Sequence, residues 1–132
     1  MKVALLIITH NQIGQELIST VRSILGNNKP PIDSISIPAN LDPGDLGGYA
    51  DQIREKIIDL ASRHKVLILT DIYGATPNNL ARYFANEVNA VVISGVNLPM
   101  LLRVLNYSTQ DLDELAITAI EGGKIGIVQG QM

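Results

Sequence analysis

The chain has 132 residues, a formal net charge of −3 with a sequence pI of about 5.2, and 46% hydrophobic residues. Such a length fits one domain with a sizeable core, and the acidic balance argues against a nucleic-acid surface or an anionic membrane, both of which select for basic patches. With no cysteine in the chain, disulfides and thiolate metal sites are excluded.

The chain opens on a continuous apolar run, Lys2 to Thr9, reading KVALLIIT, the pattern of a buried parallel strand. The run is too short to span a membrane and lacks a signal-peptide cleavage pattern, so a cytoplasmic location with no membrane insertion is expected. His10 follows, at the carboxyl end of the strand. Next, Ile13, Leu17, Val21 and Ile24 recur at three- and four-residue spacing, which predicts a helix stopped by Gly26. NNKPP reads as a turn.

Ile35 to Ile37 predicts a short second strand closed by Pro38, and the polar stretch NLDPGDLGG reads as a solvated loop. A helix then places Ile53, Ile57 and Leu60 on one face, with Asp45 as a candidate N-cap. Val66 to Thr70 forms the third strand and delivers Asp71 at its end. The loop DIYGATP leads into a helix starting near Pro77, with Thr76 as N-cap and Leu80, Ala81 and Phe84 towards the sheet. Ala90 to Ser94 is the fourth strand. In the loop after it, Asn97 and Pro99 read as a cap and an early helical position.

Helical stretches follow over roughly 100–105 and 112–120, where EGG is expected to break the pattern. The tail Lys124 to Val128, KIGIV, reads as an edge strand, in its own sheet or in that of a neighbouring subunit. Short apolar runs alternating with helical periods predict an α/β fold in three layers. Its centre is a mainly parallel four-stranded sheet with helices on both faces, plus that C-terminal edge strand.

Three loops therefore converge on the carboxyl edge of the sheet, where ligands of doubly wound folds bind: THNQIG, DIYGATP and SGVNLPM. Each leads into a helix whose first N–H groups lack intrahelical partners, an arrangement suited to an anion such as a phosphoryl group. An imidazole at one strand end and a carboxylate at another supply a nucleophile and its orienting partner.

THNQIG, LTDIYGATP and SGVNLPML resemble the motifs of the IIA proteins of the mannose family of the bacterial phosphoenolpyruvate-dependent sugar phosphotransferase system. The resemblance runs from Val3 to about Ile127 and implies a single IIA domain over residues 1–132. It implies that His10 accepts a phosphoryl group from a small phosphocarrier protein and passes it to a separate IIB component, without metal or cofactor. It further implies that Asp71 hydrogen-bonds His10, that Gly74, Thr76 and Pro77 shape a phosphate-receiving loop, and that the protein is a homodimer with its C-terminal strand exchanged. Asn97, in the matching GVNLPML motif, joins the candidate phosphate-binding residues. The chain departs from the family pattern at Asn11 and Ala75, where glycines are usual.

Plainer readings exist for several of these residues. Thr76 and Asn97 also read as helix caps alone, and Asp71 as a cap or a solvated carboxylate. His64, in SRHKV, complements a helix C-terminus with Arg63 and Lys65 and carries no chemistry. Tyr73 fits either loop packing or a docking surface. A receiver-like domain phosphorylated on Asp71 is the alternative from the signalling class, weakened because the first strand lacks an acidic pair for magnesium. A regulator that binds partners according to His10 phosphorylation is the third reading.

Overall fold

The structure, a computed structural model, describes residues 2–27 and 30–130. Four strands, β1 (Val3–His10), β2 (Ile32–Ile37), β3 (Lys65–Thr70) and β4 (Val91–Ser94), alternate with helices α1 (Ile13–Leu25), α2 (Leu46–Ala61), α3 (Thr76–Ala85) and α4 (Leu98–Asn106). A final helix, α5 (Leu112–Ile125), closes the fold. The strands pair in parallel in the order β2-β1-β3-β4. Asn28 and Lys29 of the predicted turn lie outside the described residues.

Successive side chains of a strand point to opposite faces, so β1 contributes to two cores at once. Val3, Leu5 and Ile7 join Leu67 and Leu69 of β3 beneath α1, α4 and α5. Ala4, Leu6 and Ile8 join Ile35, Ile37, Val66 and Ile68 beneath α2 and α3. This is the expected three-layer α/β arrangement, and it explains why the first strand is apolar without alternation. Across the β2 edge, Lys56 of α2 pairs with Asp33 at 2.5 Å. Burial raises the Asp33 pKa, but the Lys56 hydrogen bond, the Ser34 N–H and the Lys56 and Arg22 charges together hold it below its usual value.

Several local expectations are corrected. Strand β2 begins at Ile32, three residues before the predicted start. Helix α1 meets the sheet through Gly14, Ile18 and Val21, while Ile13 and Ile24 of the predicted stripe are 46% and 55% exposed. The glycine causes this rotation: a Cβ at Gly14 would lie 3.0 Å from Ile7 Cγ2, so the helix can approach β1 only along that line. Asp45 occupies the N-cap position of α2 without capping through its side chain; Asp42 instead accepts from Gly44 N at the head of the preceding 3₁₀ turn. Thr76 is the first residue of α3 rather than its cap, the N-cap being Ala75.

The largest correction concerns the C-terminus. Helix α5 does not stop at Gly122 but continues through Gly123 to Ile125. Those glycines let α5 press onto α4: a Cβ on Gly122 would lie 2.6 Å from Arg103 Cβ, and one on Gly123 would lie 3.0 Å from Met100 Cε. Each interior glycine costs a helix about 1 kcal/mol of propensity, offset here by close contact. Lys124 and Ile125 are thus helical, and residues 126–130 form no strand in the sheet of their own subunit. Ile127 and Val128 are 79% and 78% exposed.

Candidate functional site

The chain passes from β1 out to β2 and then returns across β1 to β3, so the direction of winding reverses between β1 and β3. In such sheets the crevice at that reversal, beyond the carboxyl ends of the strands, is the ligand site. Ile8 is in register with Thr70, and the next residues along each strand bring His10 and Asp71 together over the gap.

Asp71 Oδ2 accepts two hydrogen bonds from the same residue: from His10 backbone N at 2.9 Å and at His10 Nδ1 at 2.8 Å. Its other oxygen, Oδ1, accepts from Ile72 N at 3.0 Å. A carboxylate only accepts, so the imidazole tautomer that satisfies this contact carries its proton on Nδ1 and leaves a lone pair on Nε2. The His10 side chain is 26% exposed and that of Asp71 11%, so the pair is sheltered while the ring remains reachable.

Strand ends hold this pair from beneath. Thr9, fully buried, accepts from Gly14 N through Oγ1 at 2.9 Å and fastens the end of β1 to the start of α1. Thr70, equally buried, receives Gly95 N and Val96 N on its carbonyl, which ties β3 to the loop after β4.

The loop between Asp71 and α3 turns at Gly74, whose φ of 84° lies in the left-handed region that glycine enters without steric cost. Asn78 Oδ1 accepts from Gly74 N at 3.2 Å, and Asn78 Nδ2 donates to Thr70 Oγ1 at 3.0 Å. Asn79 Nδ2 donates to Gly74 O at 2.9 Å. Two side chains of α3 thereby clamp the loop that precedes their own helix. The first intrahelical bond runs from Asn79 N to Ala75 O, so the Thr76 and Asn78 N–H groups precede it and point out of the helix start. The Thr76 side chain is not used as a cap, and its hydroxyl makes no hydrogen bond among the described residues.

The two departures from glycine find local explanations. Asn11 has a φ of 50°, a conformation that asparagine tolerates better than most residues. Ala75 is extended, at φ −84° and ψ 168°, where any L-residue is comfortable.

Asn97 stands apart from the His10–Asp71 pair in its bonding. Its Oδ1 accepts from Met100 N at 2.8 Å, capping α4, and its Nδ2 donates to Gly123 O at 3.2 Å, linking α4 to α5. Tyr73 is 68% exposed beside the site and packs under Arg82, which donates to its hydroxyl at 3.1 Å. His64 lies just past α2, with Nδ1 3.2 Å from the Lys2 carbonyl.

The clamp formed by Thr9, Asn78 and Asn79 escapes a reading of the sequence. A pair of asparagines directly after the proline in the first turn of a helix is the signal available for two of the three, because asparagine is a poor residue for a helix interior unless its side chain has backbone partners.

Residues 4–120 match the model of a family described as "PTS system fructose IIA component". The chain belongs to this family. It is 32% identical over 96% of its length to the PTS system mannose-specific EIIAB component of Escherichia coli K12, covering 39% of that protein. It is also 40% identical over 57 residues, 42% of its length, to the fructose-specific EIIA component of Bacillus subtilis, covering 39% of that protein. The chain thus spans about two fifths of the length of these curated relatives.

Among solved structures, a phosphotransferase system EIIA component from Streptococcus agalactiae superposes with a TM-score of 0.80 at 25% identity, covering 96% of each chain. The mannose/sorbose-specific IIA subunit from Enterococcus faecalis shares the fold, with a TM-score of 0.84 at 22% identity, covering 100% of this chain and 97% of its own. No helix among the described residues is long and apolar enough to cross a membrane.

Proposed function

We propose that the protein is a histidine phosphocarrier that takes a phosphoryl group on His10 from the phosphocarrier protein and yields it to a IIB component. The observation that carries this reading is the double hydrogen bond from His10 to Asp71 Oδ2, which orients the ring and assigns its proton. In the forward step the Nε2 lone pair attacks phosphorus, the P–N bond to the donor's histidine breaks, and that nitrogen recovers the electron pair. The proton on His10 Nδ1 stays in place, held by Asp71, and offsets the charge arriving on the ring.

Phosphoryl transfer leaves the protein mainly positioning and charge stabilisation to supply. In this reading the backbone N–H groups of Thr76 and Asn78, the Thr76 hydroxyl and the turn at Gly74 receive the phosphoryl oxygens. Asn97, with both polar atoms of its side chain committed to α4 and α5, is left to capping. The receiver-like alternative is disfavoured because both oxygens of Asp71 are engaged, one of them in holding the imidazole. The protein works in the cytoplasm as a homodimer in this reading, and its exposed residues Ile125, Ile127 and Val128 supply an apolar tail for a partner subunit.

Labelling with phosphoenolpyruvate, enzyme I and the phosphocarrier tests the assignment. Wild type acquires an acid-labile, alkali-stable phosphoryl group, and His10→Ala acquires none. Undiminished labelling of His10→Ala, or label lost in alkali, moves the acceptor elsewhere.

A further inference from the structure

We propose that Asn11 is a positioning residue for His10, pinning the turn that carries the imidazole to the exit of β2. The proposal rests on the reading of His10 as phosphoryl acceptor and adds a second anchor, independent of Asp71.

Strand β1 ends at His10, which is in register with Ile37 at the end of β2. Beyond this pair the ladder runs out, and a strand tip that must turn at once into a helix has few restraints of its own. Asn11 supplies two. Its backbone N donates to Ile37 O at 2.8 Å, and its side-chain Oδ1 accepts from Ala39 N at 2.9 Å. Both bonds cross to β2, on the side of β1 opposite Asp71. His10 is therefore gripped between two neighbours: Asp71 holds its ring and its N–H from β3, while Asn11 holds the following peptide from β2.

The backbone conformation makes this residue choice specific. At a φ of 50°, glycine is the easy occupant, yet glycine has no side chain to reach Ala39. Asparagine combines tolerance of the left-handed region with an acceptor at the right distance, so it restores by a side-chain bond some of the rigidity a glycine turn gives up. A reactive group held to a few tenths of an ångström transfers efficiently; loosening the turn spreads Nε2 over orientations that do not meet phosphorus in line.

Two variants separate positioning from simple stability. Asn11→Gly keeps the backbone conformation and loses the side-chain bond, whereas Asn11→Asp keeps both the tolerance and an acceptor oxygen. In Asn11→Gly, amide exchange at Ala39 rises about tenfold, and kcat for phosphorylation falls about five- to tenfold while KM for the phosphocarrier changes by less than about twofold. Nitrogen-15 spectra of the His10 ring lose the single Nδ1–H tautomer that wild type shows. Asn11→Asp returns all of these towards wild type.

The proposal is overturned if Asn11→Gly accelerates Ala39 exchange yet retains wild-type kcat and ring spectrum, or if Asn11→Asp restores the exchange rate without restoring kcat. Failure of wild type to accept any phosphoryl group instead removes the acceptor reading. The ring spectrum then decides the role of Asn11 by itself, an unchanged tautomer in Asn11→Gly counting against it.

Discussion

Replacing Asp71 by asparagine isolates what the carboxylate does, because the new side chain has nearly the same shape. Oδ2 accepts two hydrogen bonds from His10, at 2.9 and 2.8 Å, and Oδ1 accepts one from Ile72 N at 3.0 Å. An amide has one oxygen for these three donors. If the oxygen faces His10, the NH₂ group confronts the Ile72 N–H; if it faces Ile72, the NH₂ group confronts the His10 N–H and demands a lone pair on Nδ1, which moves the ring proton to the reacting Nε2. Exchanging a charged acceptor for a neutral one loses about 1 kcal/mol for each of the two bonds to His10, and the orphaned donor adds about 1–2 kcal/mol. The sum of about 3–4 kcal/mol corresponds to a rate lowered about a hundred- to a thousandfold. Rapid-quench labelling at saturating phosphocarrier measures it directly, and the slow label that accumulates remains on His10. A rate within about threefold of wild type would falsify the orienting role.

Two further variants probe the C-terminal third. Gly122→Ala inserts a methyl group 2.6 Å from Arg103 Cβ, so the overpacking cost of about 1–3 kcal/mol exceeds the helix-propensity gain of about 1 kcal/mol. Thermal unfolding therefore occurs several degrees lower, and an unchanged or raised midpoint contradicts the described packing of α5 on α4. Charging the tail with Ile127→Asp and Val128→Asp weakens self-association in sedimentation experiments while leaving the monomer folded. An unaltered association constant dissociates the tail from the proposed dimer.

Strands β1 and β3 are legible because they are buried on both faces, read as apolar runs and end on the residues that matter; β2, reading IDSISI with only Ile35 and Ile37 buried, shows only its second half. His10 and Asp71 could be brought to one edge from sequence since a parallel sheet aligns its carboxyl ends. The errors lay where glycine has two meanings. At Gly122 and Gly123 the sequence pattern of a helix stop conceals a close helix crossing, and only the position of α4 distinguishes the two. In α1 the apolar spacing passes over Gly14, whose missing side chain lets the helix approach Ile7 of β1 and sets its orientation. The phosphate reading of Asn97 rests on the resemblance of its motif; its cap to Met100 N is legible in the local pattern, whereas its second bond, to Gly123 O 26 residues away, is one no local pattern encodes. Asn11 carried a legible oddity, a non-glycine residue at a turn, but its partner Ala39 belongs to a different crossover.

The attachment of one imidazole to both its own main chain and a neighbouring strand through a single carboxylate oxygen has a consequence for quality control. A slip of β3 against β1 by one residue carries the carboxylate out of reach and points it to the other face, so a misaligned sheet does not form the His10–Asp71 pair. On the proposed phosphocarrier reading, competence to accept a phosphoryl group therefore arrives only with correct strand alignment.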